Sequence, residues 1–303
     1  MLLPLGLLVT TQVEKIHRQG TRQNYKLPLP PRPEESFEPK SFPSHLNAAK
    51  ESLQTFYDAK TNQKFALFLP KNVKPNRDHA GTHPILVFLH GRGESGGFAV
   101  SFAQSLPWLL QNNASFASTF PFIVLAPQCP IHCATENHWT SDTFGATNKL
   151  LSRLHHLVGG DQRRIYLAGQ SMGGHGALMY ASQHPSVFAA CIIVCGYTTS
   201  PTEASTISHR LLQSGMGISM YHAADDSVIP LEAAEDMAEA LKRGMSKVHA
   251  VTAPSGGPNI RFIQYRHAPG PPISEFESLS GHGSYEIVFR DSETYAWLLG
   301  QVK

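Results

Sequence analysis

A chain of 303 residues, 41% of them hydrophobic, is long enough for one α/β domain with a tail. Its formal net charge is +2, with both signs spread along the chain and no basic block, which excludes the electrostatic footprint of a nucleic-acid binder. No apolar run reaches the roughly 18 residues that a membrane-spanning helix needs.

Residues 1–50 read differently from the rest. Met1–Val9 is apolar, but it lacks a basic start, carries Pro4 and Gly6 and shows no small-x-small cleavage site. A cytoplasmic location is therefore expected, with secretion as the alternative, to which the Asn113-Ala114-Ser115 sequon also lends itself. The run Lys26-Leu27-Pro28-Leu29-Pro30-Pro31-Arg32-Pro33 predicts an extended, partly disordered tail or a strap along the domain surface. A single domain is expected over 51–303.

Within it, apolar runs alternate with helical patterns. Strands are predicted at Lys64–Leu69, Pro84–Leu89, Phe122–Ala126, Arg164–Ala168, Ala189–Cys195, Gly217–His222 and Ile260–Tyr265. Helices are predicted around Phe98–Gln111 and at Thr147–Val158, Met172–Tyr180, Leu231–Arg243 and Tyr285–Leu299. Alternating strands and helices, with strands apolar throughout, imply a mostly parallel sheet covered by helices on both faces. Such sheets carry their sites at the carboxyl ends of their strands.

The most informative stretch is Gly169-Gln170-Ser171-Met172-Gly173, a Gly-x-Ser-x-Gly between a strand and a helix. So tight a turn crowds the backbone; small residues relieve the crowding and leave the serine hydroxyl at its tip. A serine hydroxyl is a weak nucleophile and needs a histidine base held by a carboxylate. The expected chain order is serine, acid, histidine. Asp225 and Asp226 follow the strand ending at His222, and His267 and His282 follow the last strand. Gly281 and Gly283 allow the sharp turn that would point His282 back to the serine, so it is preferred over His267. An oxyanion needs fixed donors: the Met172 N–H, just after the serine, and the N–H of Arg92, which lies between Gly91 and Gly93 after the strand ending at Leu89.

The four cysteines suggest neither a metal nor a mutual disulfide at Cys191 and Cys195, about 13 Å apart along a strand. These two are expected as buried thiols. Cys129 and Cys133 share a loop with His132 and His138, at a spacing that matches no standard zinc pattern. No cofactor is expected.

From about Thr55 onward the chain resembles the α/β-hydrolase superfamily, in the branch of small carboxylesterases and predicted peptidases related to phospholipase/carboxylesterases. The resemblance rests on Leu-Val-Phe-Leu-His-Gly-Arg-Gly-Glu (86–94), Ala-Pro-Gln-Cys-Pro (126–130) with Trp139 downstream, Gly-Gln-Ser-Met-Gly-Gly (169–174) and Gly-His-Gly-Ser-Tyr (281–285). It implies the α/β-hydrolase fold and a triad of Ser171, Asp226 and His282, the acid chosen by the family's Asp-x-Val-x-Pro turn. It also implies Met172 and Arg92 as backbone oxyanion donors. By position Gln128 and Trp139 could line the substrate pocket, with packing on a long loop an equal reading for Trp139. Two departures stand out: His222-Ala223 replaces the usual His-Gly, and the loop from Arg266 to Leu279 is long and proline-rich.

The function so implied is hydrolysis of a small carboxylic ester through an acyl-enzyme. Peptide or thioester cleavage by the same machinery, or a catalytically silent binding module, are the alternatives. About twenty residues separate the strands ending at 195 and starting at 217, which leaves little room for a large lid.

Overall fold

The computed structural model describes residues 40–43, 53–71, 73, 83–96, 105–249, 259–272 and 279–303. Nine strands form one sheet: β1 (Lys40–Ser41), β2 (Gln54–Asp58), β3 (Gln63–Phe68), β4 (His83–Leu89), β5 (Ile123–Pro127), β6 (Gly160–Gln170), β7 (Ala190–Val194), β8 (Gly217–Ala223) and β9 (Ile260–Tyr265). Their spatial order is β1-β2-β3-β5-β4-β6-β7-β8-β9. From β5 to β9 every neighbouring pair is parallel, while β3 runs antiparallel to both β2 and β5. The sheet is thus mostly parallel, as its apolar strands imply.

Alternation along the strands sends successive side chains to opposite faces. In β4, Ile85, Val87 and Leu89 enter one core and Leu86 and Phe88 the other. The first core is closed by α4 (Ser141–Val158), α5 (Met172–Gln183), α6 (Pro201–Ser214) and α7 (Leu231–His249). The second is closed by α1 (Leu106–Asn112), α2 (Ala114–Thr119), α8 (Ser284–Val288) and α9 (Ser292–Leu299). A short helix, α3 (Ile131–Glu136), lies at the end of β5.

All seven predicted strands are present, shifted by a residue or two at most, except that β6 is much longer than its apolar run. Its polar start, Asp161-Gln162-Arg163-Arg164, hides the strand from a hydrophobicity reading. The single final helix is corrected to two: Asp291 accepts from the Glu293 N–H and so caps a fresh start for α9. The helix predicted from Phe98 begins, within the described residues, at Leu106; residues 98–104 lie outside them. So does the proline run at 26–33. Part of the expected tail joins the sheet: β1 pairs parallel to β2, and Phe42 packs edge-on against Phe65, with the Arg153 guanidinium over its ring. The segment between β7 and β8 holds α6, whose Ala204, Ile207 and Leu211 are buried in the core. Among the described residues no helix is long and apolar enough to cross a membrane.

Candidate active site

Parallel strands β4, β5, β6, β8 and β9 deliver their carboxyl ends to one edge, and the candidate residues lie on the segments that follow them. Ser171 ends β6 and starts α5, at φ +53° and ψ −121°. A side chain held in so sparsely populated a region costs about 1–3 kcal/mol, and surrounding packing must enforce it. The enforcement here is backbone on backbone. A Cβ on Gly169 would lie 2.0 Å from the Gly173 oxygen, and one on Gly173 2.1 Å from the Leu89 oxygen. Ser171 is half-exposed, whereas its helix is buried almost throughout.

His282 and Asp226 complete a chain of contacts. The His282 Nε2 lies 3.0 Å from Ser171 Oγ, and its Nδ1 lies 3.0 and 3.1 Å from the two Asp226 oxygens. With Nδ1–H donated to the carboxylate, Nε2 is the acceptor facing the serine. Gly281, at φ +79°, makes the turn that brings His282 in, and a Cβ there would meet the Asp225 backbone at 2.4 Å. Asp226 Oδ1 also accepts the N–H groups of Val228 and Ile229, each at 2.9 Å. Burial raises the Asp226 pKa, but bonds and charge from His282 and His222 outweigh it and hold the carboxyl below its ordinary value.

The other acid and histidine pair with each other. His267, exposed, lies 3.2 Å from Asp225, which also accepts from the Ala268 N–H and the Ser280 hydroxyl. Asp225 therefore ties the loop that carries His282 to the turn that carries Asp226.

Residues 90–94 pass directly beside Ser171: a Cβ on Gly91 would lie 3.7 Å from that of Ser171. The loop is held by side-chain hydrogen bonds to and from the segment at 128–139. The Trp139 indole donates to the His90 oxygen at 3.2 Å, Gln128 donates to the Glu94 oxygen at 2.7 Å, and Arg92 Nε donates to the Ala134 oxygen. The Cys129 N–H donates to His90 Nε2 at 3.0 Å, which leaves the proton on Nδ1, 2.8 Å from the Gly91 oxygen. Burial pushes the His90 pKa down to about 4, so this ring is neutral. Gln128 and Trp139, suggested as pocket residues, are both buried, and their polar side-chain groups bond this loop. The packing reading fits Trp139, whose indole also lies against Gly176.

The sequence reading missed several neighbours. Cys129 and Cys133 form a disulfide across the start of α3, and the Cys129 oxygen accepts from the Gly96 N–H. A three-residue gap between cysteines before a helical turn is the signal that was available. His222, fully buried in β8, lies 3.5 Å from Asp226 and donates from Nε2 to the Ile229 oxygen. His175, one turn after Ser171, stacks on Tyr197 and pairs with Glu203. Tyr197 in turn bonds Asn137, so these residues form a rim beside the serine helix. Cys191 and Cys195 are buried free thiols as expected, and Cys195 sits at φ +39° under the His282 oxygen. Cys195, Asp226 and His282 bring metal-ligating atoms within 4.8 Å of one another. Burial pushes the Cys195 thiol far above its ordinary range, away from the thiolate a metal takes, and His282 already bonds Asp226.

Comparison with known proteins points one way. The family model described as "Putative esterase" matches residues 128–228, a stretch that holds Ser171 and Asp226 and stops short of His282. A thermostable esterase of known structure is similar at 27% identity and a TM-score of 0.60, over 83% of this chain and 63% of that one. The chain therefore spans less than two thirds of that esterase. The apo form of esterase 2 from Thermogutta terrifontis shares 14% identity and a TM-score of 0.51, over 84% of this chain and 96% of its own, a likeness of fold. No curated protein sequence matches. The fold is the α/β-hydrolase fold, with nine strands and helices on both faces. Both of these structures are of esterases, and residues 128–228 are similar to the esterase family model.

Proposed function

We propose that this protein is a serine hydrolase that cleaves small carboxylic esters, with Ser171 as nucleophile, His282 as general base and Asp226 as its orienting carboxylate. The observation that carries the reading is the unbroken line of contacts from Ser171 Oγ through His282 to Asp226, between groups 111 and 56 residues apart in the chain. The similarity of residues 128–228 to the esterase family model supports ester hydrolysis as the reaction.

On this reading the steps run as follows. His282 Nε2 takes the hydroxyl proton as Ser171 Oγ attacks the ester carbonyl. Charge then develops on the carbonyl oxygen, for which we assign the Met172 and Arg92 backbone N–H groups as donors. Met172 is the first residue of α5, so its N–H has no acceptor within the helix and sits at the positive end of the helix dipole. The imidazolium gives its proton to the leaving alcohol as the acyl-enzyme forms. Water, deprotonated by the same ring, attacks the acyl carbon, and the proton returns to Ser171 as the acid leaves. Asp226, held ionised by its environment, compensates the imidazolium throughout.

The test combines a fluorophosphonate probe with short-chain nitrophenyl esters and their anilide analogues. Wild type is expected to label and to turn over esters far faster than anilides. Ser171→Ala should abolish labelling and lower ester kcat by roughly 10⁴-fold or more. Equal labelling of both proteins would sink the assignment, and anilide rates matching ester rates would sink the choice of substrate.

A further inference from the structure

Glu94 is a carboxyl that the mechanism above does not use, buried almost fully beside the nucleophile. Its Oε2 accepts the Gly91 N–H at 2.8 Å and faces the Gln170 amide nitrogen at 3.4 Å. Gly91 directly precedes Arg92, and Gln170 directly precedes Ser171. One carboxyl therefore bridges the two chain segments that flank the reacting carbonyl. Its other oxygen, Oε1, has no hydrogen-bond partner among the described residues. A buried carboxyl so poorly compensated costs stability. Its pKa follows: burial raises it to about 8, and the Gly91 N–H opposes the rise.

The bridge matters through peptide geometry. The Gly91 carbonyl and the Arg92 N–H belong to one planar trans peptide, so they point in opposite directions. The Gly91 oxygen accepts from His90 Nδ1 at 2.8 Å and from the Glu94 N–H at 3.3 Å. That fixes the direction in which the Arg92 N–H points. The remaining freedom of Gly91 is rotation about its own N–Cα bond, and the Glu94 carboxyl removes it by holding the Gly91 N–H. Glu94 is itself anchored, since its backbone oxygen accepts from Gln128.

Building on the esterase reading, we propose that Glu94 is a positioning residue. Its carboxyl locks the Gly91–Arg92 peptide in register with Ser171, so that the Arg92 N–H meets the oxyanion without reorganisation. The role asks only for an acceptor at Oε2. The Glu94→Gln amide oxygen supplies one and Glu94→Ala does not. Glu94→Asp, one methylene shorter, withdraws it.

The experiment measures kcat and KM on nitrophenyl butyrate and the inhibition constant of a trifluoromethyl ketone, which forms the tetrahedral adduct. Wild type, Ser171→Ala and the three Glu94 variants are compared, with near-ultraviolet circular dichroism to check folding. Loss of one preorganised oxyanion donor lowers kcat by roughly 10²-fold, so Glu94→Ala and Glu94→Asp should lose about 10- to 100-fold in kcat. KM should stay within about twofold, because the donor acts on the transition state. Ketone affinity should fall in parallel with kcat, and Glu94→Gln should recover most of both. A purely structural role would not move the ketone affinity in step with kcat. Should Glu94→Ala fail to fold, the Asp variant decides. Wild-type kcat in a folded Ala or Asp variant overturns the proposal, as does a folded Gln variant as slow as Ala. Equal ester rates in wild type and Ser171→Ala would instead overturn the esterase reading itself.

Discussion

The serine turn and the loop beside it face the same space, yet they are held in opposite ways. Residues 169–174 are kept in place mainly by close backbone contact, among themselves and against the Leu89 and His90 oxygens and Gly196. Residues 90–94 are kept in place by hydrogen bonds from Gln128 and Trp139, 34 and 49 positions downstream. The first arrangement is steric. The second is polar and assembled only once β4, β5 and the start of α4 have come together. The difference predicts that the turn fails abruptly when a single methyl is added, and that the loop degrades by steps as its bonds are removed.

Gly173→Ala should have the largest effect, because its Cβ would lie 2.1 and 2.6 Å from the Leu89 and His90 oxygens, neither of which can yield alone. A loss of about 3 kcal/mol is expected, read as a lower midpoint in urea unfolding, together with loss of ester turnover. A neutral outcome would mean that the turn is looser than its contacts imply. Cys133→Ser comes next. It opens the Cys129–Cys133 disulfide behind the loop, which should cost about 2 kcal/mol by loop-closure entropy. Wild type in dithiothreitol should then approach the stability of the variant. Trp139→Phe keeps an aromatic ring but loses the pyrrole half of the indole together with the N–H that reaches the His90 oxygen, so the expected cost is about 1–2 kcal/mol with a modest drop in kcat.

The last effect is on the slope of stability against pH. Native Glu94 titrates near 8 against an ordinary 4.5, so above pH 4.5 the folded protein keeps a proton that the unfolded chain loses, and stability falls with rising pH up to about 8. Native His90 titrates near 4 against an ordinary 6.5, so between 6.5 and 4 the unfolded chain takes up a proton that the folded protein refuses, and stability falls as pH drops. Below 6.5 the two trends oppose each other; from 6.5 to 8 that of Glu94 is unopposed by His90, and Glu286, whose pKa burial raises to about 7, adds to it up to there. Glu94→Gln should therefore flatten the urea midpoint over pH 6.5–8 and leave it steeper on the acid side. An unchanged slope above 6.5 would show that the carboxyl is already ionised in the folded state.

The same contrast explains what could be read from the chain and what could not. Ser171 was legible because crowding demands glycine on either side of it, and His282 because Gly281 must take a positive φ. The strands were legible because both faces of the sheet are buried, which leaves long apolar runs. Glu94 was not, since nothing around it in the sequence says that its carboxyl turns inward to Gly91. Gln128 and Trp139 were singled out by resemblance and position, but only the fold shows that their polar groups bond the loop. The pairing of Asp225 with His267 was hidden in the same way: each looked like a spare catalytic candidate until the loops met.

One consequence concerns how such a protein can change. Gly174 and Gly196 approach so closely that a Cβ on either would fall within 3.1 Å of the other's backbone, as Gly173 does against β4. Random variation across these positions would be purged wholesale, whereas Asn137 and Tyr197 on the rim carry ordinary side chains held by hydrogen bonds to each other and by the stacking of Tyr197 on His175. A mutagenesis campaign aimed at new substrates should leave the glycines untouched and diversify the rim, where the chemistry can be inherited intact while the diet drifts.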